Sequence, residues 1–260
     1  VDRAMASVAR AREPRSGRAG VLMAAEPTAS AKPREGARGC ADCGYALARS
    51  GGLVRRLGMA QEEVFLPFPA PRASIAPASS FRSTWLSASV RSLRERGLLD
   101  RYLAHLPAEL HDPILATVVG VWLPTSVAVA HYEACDALGL TQNEQVEIGQ
   151  EVARNVHGTI LGTVVRLATQ AGVSPWSAFA TFGRLWDRIW VGGAVGVFKL
   201  GPKDARVEMV GWPCARVPYC RVAMRGVMLG LTELFCQKAY VHEVPKLCTP
   251  TTLGYRIQWA

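Results

Sequence analysis

The chain lacks the features that would name a chemistry outright. None of its apolar runs approaches the roughly 18 to 20 residues that cross a bilayer as a helix, so no membrane span is expected. Cysteine occurs at Cys40, Cys43, Cys135, Cys214, Cys220, Cys236 and Cys248, an odd number without a repeating spacing. That pattern argues against a disulfide framework and for reduced thiols in a cytoplasm. The single C-x-x-C, "CADC" at Cys40 to Cys43, has no second C-x-x-C or H-x-x-x-H to complete four zinc ligands, and no metal site is expected. Paired acids, a nucleophile elbow and a phosphate loop are missing too: "GVSPW" is no elbow, and "GGAVG" lacks the strand-to-helix setting of a dinucleotide loop. No catalytic residue is assigned, although a site assembled from distant segments leaves no motif.

Charge narrows the partners. The 30 basic and 21 acidic residues leave a net +9, shared almost evenly between residues 1–80 and the remainder. The arginines are scattered among apolar positions rather than gathered in a stripe, so nucleic-acid binding is not expected.

What is present begins after a weakly hydrophobic stretch. Residues 1–38 are rich in Ala, Arg, Pro and Ser, with no sustained period, and cannot bury enough to offset their ordering entropy. "FLPFPAPRASIAPASS", residues 65–80, carries four prolines and reads as an extended linker. Residues 1–80 are therefore expected to be a disordered basic leader and Pro-rich linker, and residues 81–260 a single domain.

Within that domain, Pro107, Pro113 and Pro124 mark helix beginnings. Val127, Ala130, His131, Ala134 and Leu138 recur at helical spacing. Thr141 and Glu144 make a capping box that opens a helix running toward Gln170, with two adjacent apolar stripes. Ser174 and Pro175 start another helix, expected to reach Val191 and to place Trp176, Phe179, Gly183, Trp186 and Trp190 along one face. The period then changes to two. "AVGVFKL" and "ARVEMVGW" read as a hairpin with its tip at Gly201 to Asp204. A helix follows over Pro218 to Phe235, and "KAYVHEVPKL" with "TLGYRIQW" makes a second hairpin. The expected class is α+β: a helical N-terminal half, then hairpin, helix and hairpin forming one antiparallel sheet. The connecting helix is expected to lay Val222, Gly226 and Leu229 on the sheet, and Met224, Met228, Leu231 and Phe235 on the N-terminal helices, with Gly226 and Gly230 at its tightest contacts.

This order of elements resembles the superfamily of haem nitric-oxide-binding domains, 4-vinyl-reductase-type ligand-binding domains and TRAPP vesicle-tethering subunits, over roughly residues 94–260. The stretch "MRGVMLGLTELFCQKAYVHEV…LGYRIQW" is similar to the last helix and final hairpin of that family. "HYEACDALGL", "GTILGTVVRLA", "GPKDARVE" and "LFCQKAYVHE" are similar in wording to uncharacterised paralogous proteins of myxobacteria. The resemblance implies a ligand-binding or dimerising domain, and the sequence departs from its haem branch. That branch carries a proximal histidine on the helix before the first hairpin, where "PWSAFATFGRLWDRIW" has none. Its Tyr-x-Ser-x-Arg motif for the propionates has only "YCRVAMR", from Tyr219, as an analogue. The 4-vinyl-reductase branch often pairs cysteines near the last hairpin, where Cys248 is followed by Tyr255. Neither haem nor another cofactor is expected.

The candidate ligand-binding residues are His131, His157, Trp186, Trp190, Arg221 and Arg225. Imidazole serves as ligand or base near neutral pH, though on an apolar stripe it also serves as a hydrogen-bonded core group. The tryptophans suit an apolar cavity or plain core. Arg221 and Arg225, one turn apart, could grip an anion or bridge to Asp187, Glu208 or Glu233. The expectation is a cytoplasmic, non-enzymatic regulatory domain for a small apolar or amphipathic ligand. Its alternatives are a structural module that homodimerises or binds a protein partner, and a Cys- or His-dependent enzyme.

Overall fold

The computed structural model describes residues 62–156 and 174–260. Its larger sheet has the order β1-β5-β6-β8-β7, all antiparallel: β1 is Glu63–Leu66, β5 Ala194–Gly201, β6 Asp204–Val210, β7 Ala239–Glu243 and β8 Thr252–Trp259. Both expected hairpins are present, and Gly201 pairs with Asp204 at the tip of the first. A smaller sheet that alternation did not announce joins β3 (Trp122–Pro124), β2 (Ser80–Arg82) and β4 (Trp190–Val191). Its strands are two or three residues long, too short to show a period of two.

The helices are α1 (Ser83–Glu95), α2 (Leu99–His105), α3 (His111–Leu115), α4 (Thr125–Asp136), α5 (Gln142–Val156), α6 (Pro175–Phe179), α7 (Phe182–Ile189) and α8 (Pro218–Thr232). The capping box forms as read: the Thr141 N–H donates to Glu144 Oε2 at 2.8 Å, and the Glu144 N–H reaches back to Thr141 Oγ1 at 3.4 Å. The Asp136 carboxylate, at the end of α4, accepts the Tyr219 N–H at 2.8 Å and so caps the start of α8.

Three expectations are corrected. The helix expected over Pro175 to Val191 is broken. Both the N–H and the hydroxyl of Thr181 turn back onto Ala178 O, at 2.9 and 2.7 Å, and this local competition separates α6 from α7. Trp190 then leaves the helix for β4.

The stretch 65–80 is not a free linker, and the boundary at residue 80 falls inside the folded unit. Glu63–Leu66 is an edge strand on β5. The chain then crosses the sheet's outer face as a strap. Phe68 lies over Gly196 and 6.1 Å from the Phe198 ring. Arg72 reaches the buried Glu208 at 2.8 Å, and Ala78 N–H donates to Gly211 O at 2.7 Å. Proline-rich segments make few ladder bonds of their own, which is why the sequence reads as linker even where its side chains dock.

The faces of α8 are the reverse of the expected ones. Gly226 and Gly230 meet α5, so close that a β-carbon on Gly226 would overlap the backbone of Val146. Met224 and Met228 turn to the sheet and α7, beside Val195 and Met209. Small residues permit backbone-to-backbone approach, which a helix partner exploits more fully than a pleated sheet studded with Val and Met.

Candidate functional site

Between α7, α8 and the inner face of β5 and β6 lies a cavity of about 50 Å³. Trp186, Trp190, Phe182, Leu185 and Ile189 form one wall, Met224, Val227, Met228 and Leu231 the facing one, with Val195 and Met209 as the floor and Trp85 at the inner end. No charged side chain lines it. The tryptophans are fixed by each other and by one backbone bond. Trp186 stacks on Trp190 at 5.9 Å, its Nε1–H donates to Gly192 O at 3.0 Å, and Trp212 sits edge-on to both at 6.1 and 5.6 Å. A cleft of about 150 Å³ beneath the strap, bordered by Pro67, Pro69 and Asp187, shares Trp186 and Val195 with this cavity.

Trp186 and Trp190 are thus together at the cavity. Trp176 and Phe179, expected on the same face, are not: the break at Thr181 sends them to a second aromatic cluster with Phe65 and Trp259. Sequence reasoning passed over Trp212, Met209 and Trp85. Met209 follows the inward positions Ala205 and Val207 along "ARVEMVGW", so its inward aim was readable there, whereas Trp212 lies beyond the end of β6 and off that alternation.

His131 lies behind the cavity, not in it. Its Nδ1 pairs with the Tyr102 hydroxyl at 2.8 Å and its Nε2 with Ser89 Oγ at 2.9 Å, all three side chains being buried. Burial lowers its pKa to about 3, so the ring is neutral. The Cys135 sulfur stands 3.8 Å from Nε2. Burial pushes that thiol far up, so the two remain thiol and imidazole and form no activated nucleophile. The histidine sits in the core, hydrogen-bonded to two hydroxyls. His157 and "CADC" lie outside the described residues.

Arg221 pairs with Glu243 on β7, not with Asp187, Glu208 or Glu233, and this bridge holds its guanidinium pKa above the usual value. Arg225, half-buried one turn on, makes no ion pair among the described residues. Neither arginine touches the Trp/Met cavity. Among the described residues, no group of three His, Cys, Asp or Glu side chains is arranged to hold a metal, and no helix is long and apolar enough to cross a membrane.

At the level of sequence, no family profile and no characterised protein matches the chain, so the similarity to myxobacterial proteins stays an expectation. Solved structures do match. The Fe(II) unliganded H-NOX protein from K. algicida is similar over 69% of this chain and 96% of its own, at 10% identity and a TM-score of 0.51. A structure solved to probe the function of haem distortion in the H-NOX family is similar over 68% of this chain and 94% of its own, at 13% identity and a TM-score of 0.50. This likeness shows the fold: an α+β architecture of the H-NOX kind.

That fold family implies a haem, and the described residues do not fit one. The cavity is smaller than the roughly 150 Å³ that admits a benzene, far less than a porphyrin needs. No histidine lines it, both nitrogens of His131 are engaged, and α7 carries no histidine at all.

Proposed function

We propose that the protein is a non-enzymatic ligand-binding domain with a regulatory or signalling role, taking a small apolar or amphipathic molecule into the Trp/Met cavity. The observation that carries this reading is the cavity itself: uncharged, set between the helical layer and the sheet, and walled by rigid indoles on one side and methionines on the other. Apolar pockets with a few polar groups are the usual form of a small-molecule site. Unbranched, flexible Met224, Met228 and Met209 would let a cavity of about 50 Å³ open to a larger guest. The H-NOX protein of similar fold is described as unliganded, hence as one that takes a ligand, which supports a ligand-binding role here. The cavity among the described residues is smaller than a porphyrin needs, which favours a smaller guest. A cytoplasmic location fits the buried free thiols Cys135, Cys214 and Cys220.

A second reading has its own observation. Val118, Val119, Val121 and Trp122 are exposed in one short stretch, and Val191 is exposed on β4, which flanks β2 opposite β3. An apolar patch of this kind favours a homodimer or a protein partner.

Native mass spectrometry of protein purified from its own host tests both. A retained small molecule bound one per chain supports the first reading, and a ligand-free dimer supports the second and overturns the first. Haem reconstitution is expected to give no Soret band. A stoichiometric band lost in His157→Ala would reinstate the haem.

A further inference from the structure

Beside the Trp/Met cavity, among α1, α4, α5 and α8, is a second, inner chamber of about 10 Å³, and the two share Trp85, Met224 and Val227 as walls. It is the size of a single water-sized group. Unlike the outer cavity it is bordered by hydroxyl-bearing residues, Tyr219, Ser89 and Tyr132. The Tyr132 hydroxyl accepts Trp85 Nε1–H at 3.1 Å and keeps its own O–H as a donor. The Tyr219 side chain is 1% exposed, and among the described residues its hydroxyl oxygen has no hydrogen-bond partner. The Cys135 thiol lies nearby without satisfying hydrogen-bond geometry. A buried hydroxyl left unpaired is costly, and a bound molecule in the chamber is one way to complete it.

Ser89 is prepared from behind. Among the described residues, the Tyr102 hydroxyl has His131 Nδ1 as its partner. With Tyr102 donating there, the neutral ring carries its proton on Nε2 and donates it to Ser89 Oγ, which frees the Ser89 O–H for another acceptor. Tyr219 and Ser89 then add O–H donors and lone pairs beside the Tyr132 O–H, and no charged side chain lines the chamber.

Resting on the apolar-ligand reading above, we infer that the inner chamber holds one uncharged hydroxyl oxygen between Tyr219 Oη and Ser89 Oγ. The oxygen is the head of a short neutral alcohol whose alkyl tail fills the Trp/Met cavity, or a water molecule when the tail is absent. The chemistry excludes a carboxylate head, because no cation lines either chamber to receive it.

The test uses calorimetric titration of the full chain with pentan-1-ol, pentane and pentanoate, in the wild type, Tyr219→Phe and Ser89→Ala. Tyr219→Phe removes an unpartnered hydroxyl and keeps the ring, so it is expected to fold, which melting checks. Pentanol affinity should fall about fivefold in Tyr219→Phe and in Ser89→Ala, the loss of one hydrogen bond, with pentane unchanged. Pentanoate should bind at least tenfold more weakly than pentanol. Equal pentanol affinity in all three proteins, or tighter binding of pentanoate, would overturn the inner site and leave the apolar cavity standing. If neither pentane nor pentanol binds, the ligand-binding reading itself falls, and a high-resolution crystal structure of the free protein decides the chamber. A water bonded to Tyr219 Oη supports it, and an empty chamber overturns it.

Discussion

Gly149 and Gly226 face each other where α5 crosses α8: a β-carbon on Gly149 would stand 3.0 Å from Gly226 Cα and overlap the carbonyl of Ala223. Each glycine is the space the other helix's backbone occupies. Replacing Gly226 by Ala is therefore expected to force the helices apart and lower stability by about 1 to 3 kcal/mol, a melting shift of several degrees. Gly230→Ala should be milder, since its β-carbon would stop 3.2 Å from Ala153 Cβ, while Gly230→Leu should be as damaging as the first. Thermal unfolding of the three variants checks the order. Wild-type melting in Gly226→Ala would show that the helices do not cross here.

His131 makes stability depend on pH in a defined direction. Its pKa falls from 6.5 to about 3 on burial, so between these values the unfolded chain binds a proton there that the folded chain does not. The contribution is complete above pH 6.5 and is lost as the pH falls, at roughly 1 kcal/mol per pH unit. Urea unfolding at pH 7, 6 and 5 should show this slope in the wild type and its reduction in His131→Gln. Identical slopes in the two proteins would contradict the buried neutral ring.

The two arginines of α8 should behave differently. Arg221 spans to Glu243 from a half-buried position, and Arg221→Ala is expected to cost at most about 1 kcal/mol, as partly screened bridges do. Arg225→Ala should leave melting unchanged, because it breaks no ion pair described here. A clear loss of stability in Arg225→Ala would assign it a structural partner.

Truncation separates the leader from the strap. Removing residues 1–61 is expected to leave melting unaltered, as their composition supplies no core. Removing residues 1–78 deletes β1 and leaves Glu208, 1% exposed, with Arg206 as its remaining cation. Losing one charged partner of a buried carboxylate costs about 1 to 3 kcal/mol, so this shorter protein should melt at least a few degrees lower. Equal melting of both would mean that the strap contributes nothing.

Periodicity made much of this architecture legible. The switch from 3.6 to 2 after Gly193 located both hairpins, and the Thr141 capping box located a helix start, because those signals depend only on neighbours in sequence. What stayed hidden depended on distant partners. Nothing local tells Gly226 whether a helix or a sheet will approach it, and Thr181 breaks a helix through a side-chain bond that Thr elsewhere does not make. The candidate site divided the same way. Trp186 and Trp190 were found by type and spacing, but Met209, Trp212 and the Tyr219 hydroxyl join them only through packing between elements far apart in the chain.

The pairing of β1 with β5 also sets an order of events during synthesis. Glu62 and its partner Arg206 are separated by 144 positions, so the strand and strap leave the ribosome long before the surface they dock on exists. At 5 to 20 residues per second the interval is roughly 7 to 30 s. Throughout it the buried faces of Phe68 and Phe65 have no native surface to cover them, and loop closure over so long a span makes their docking a late step. Though made well before its neighbour in the sheet, β1 is among the last elements to find its place.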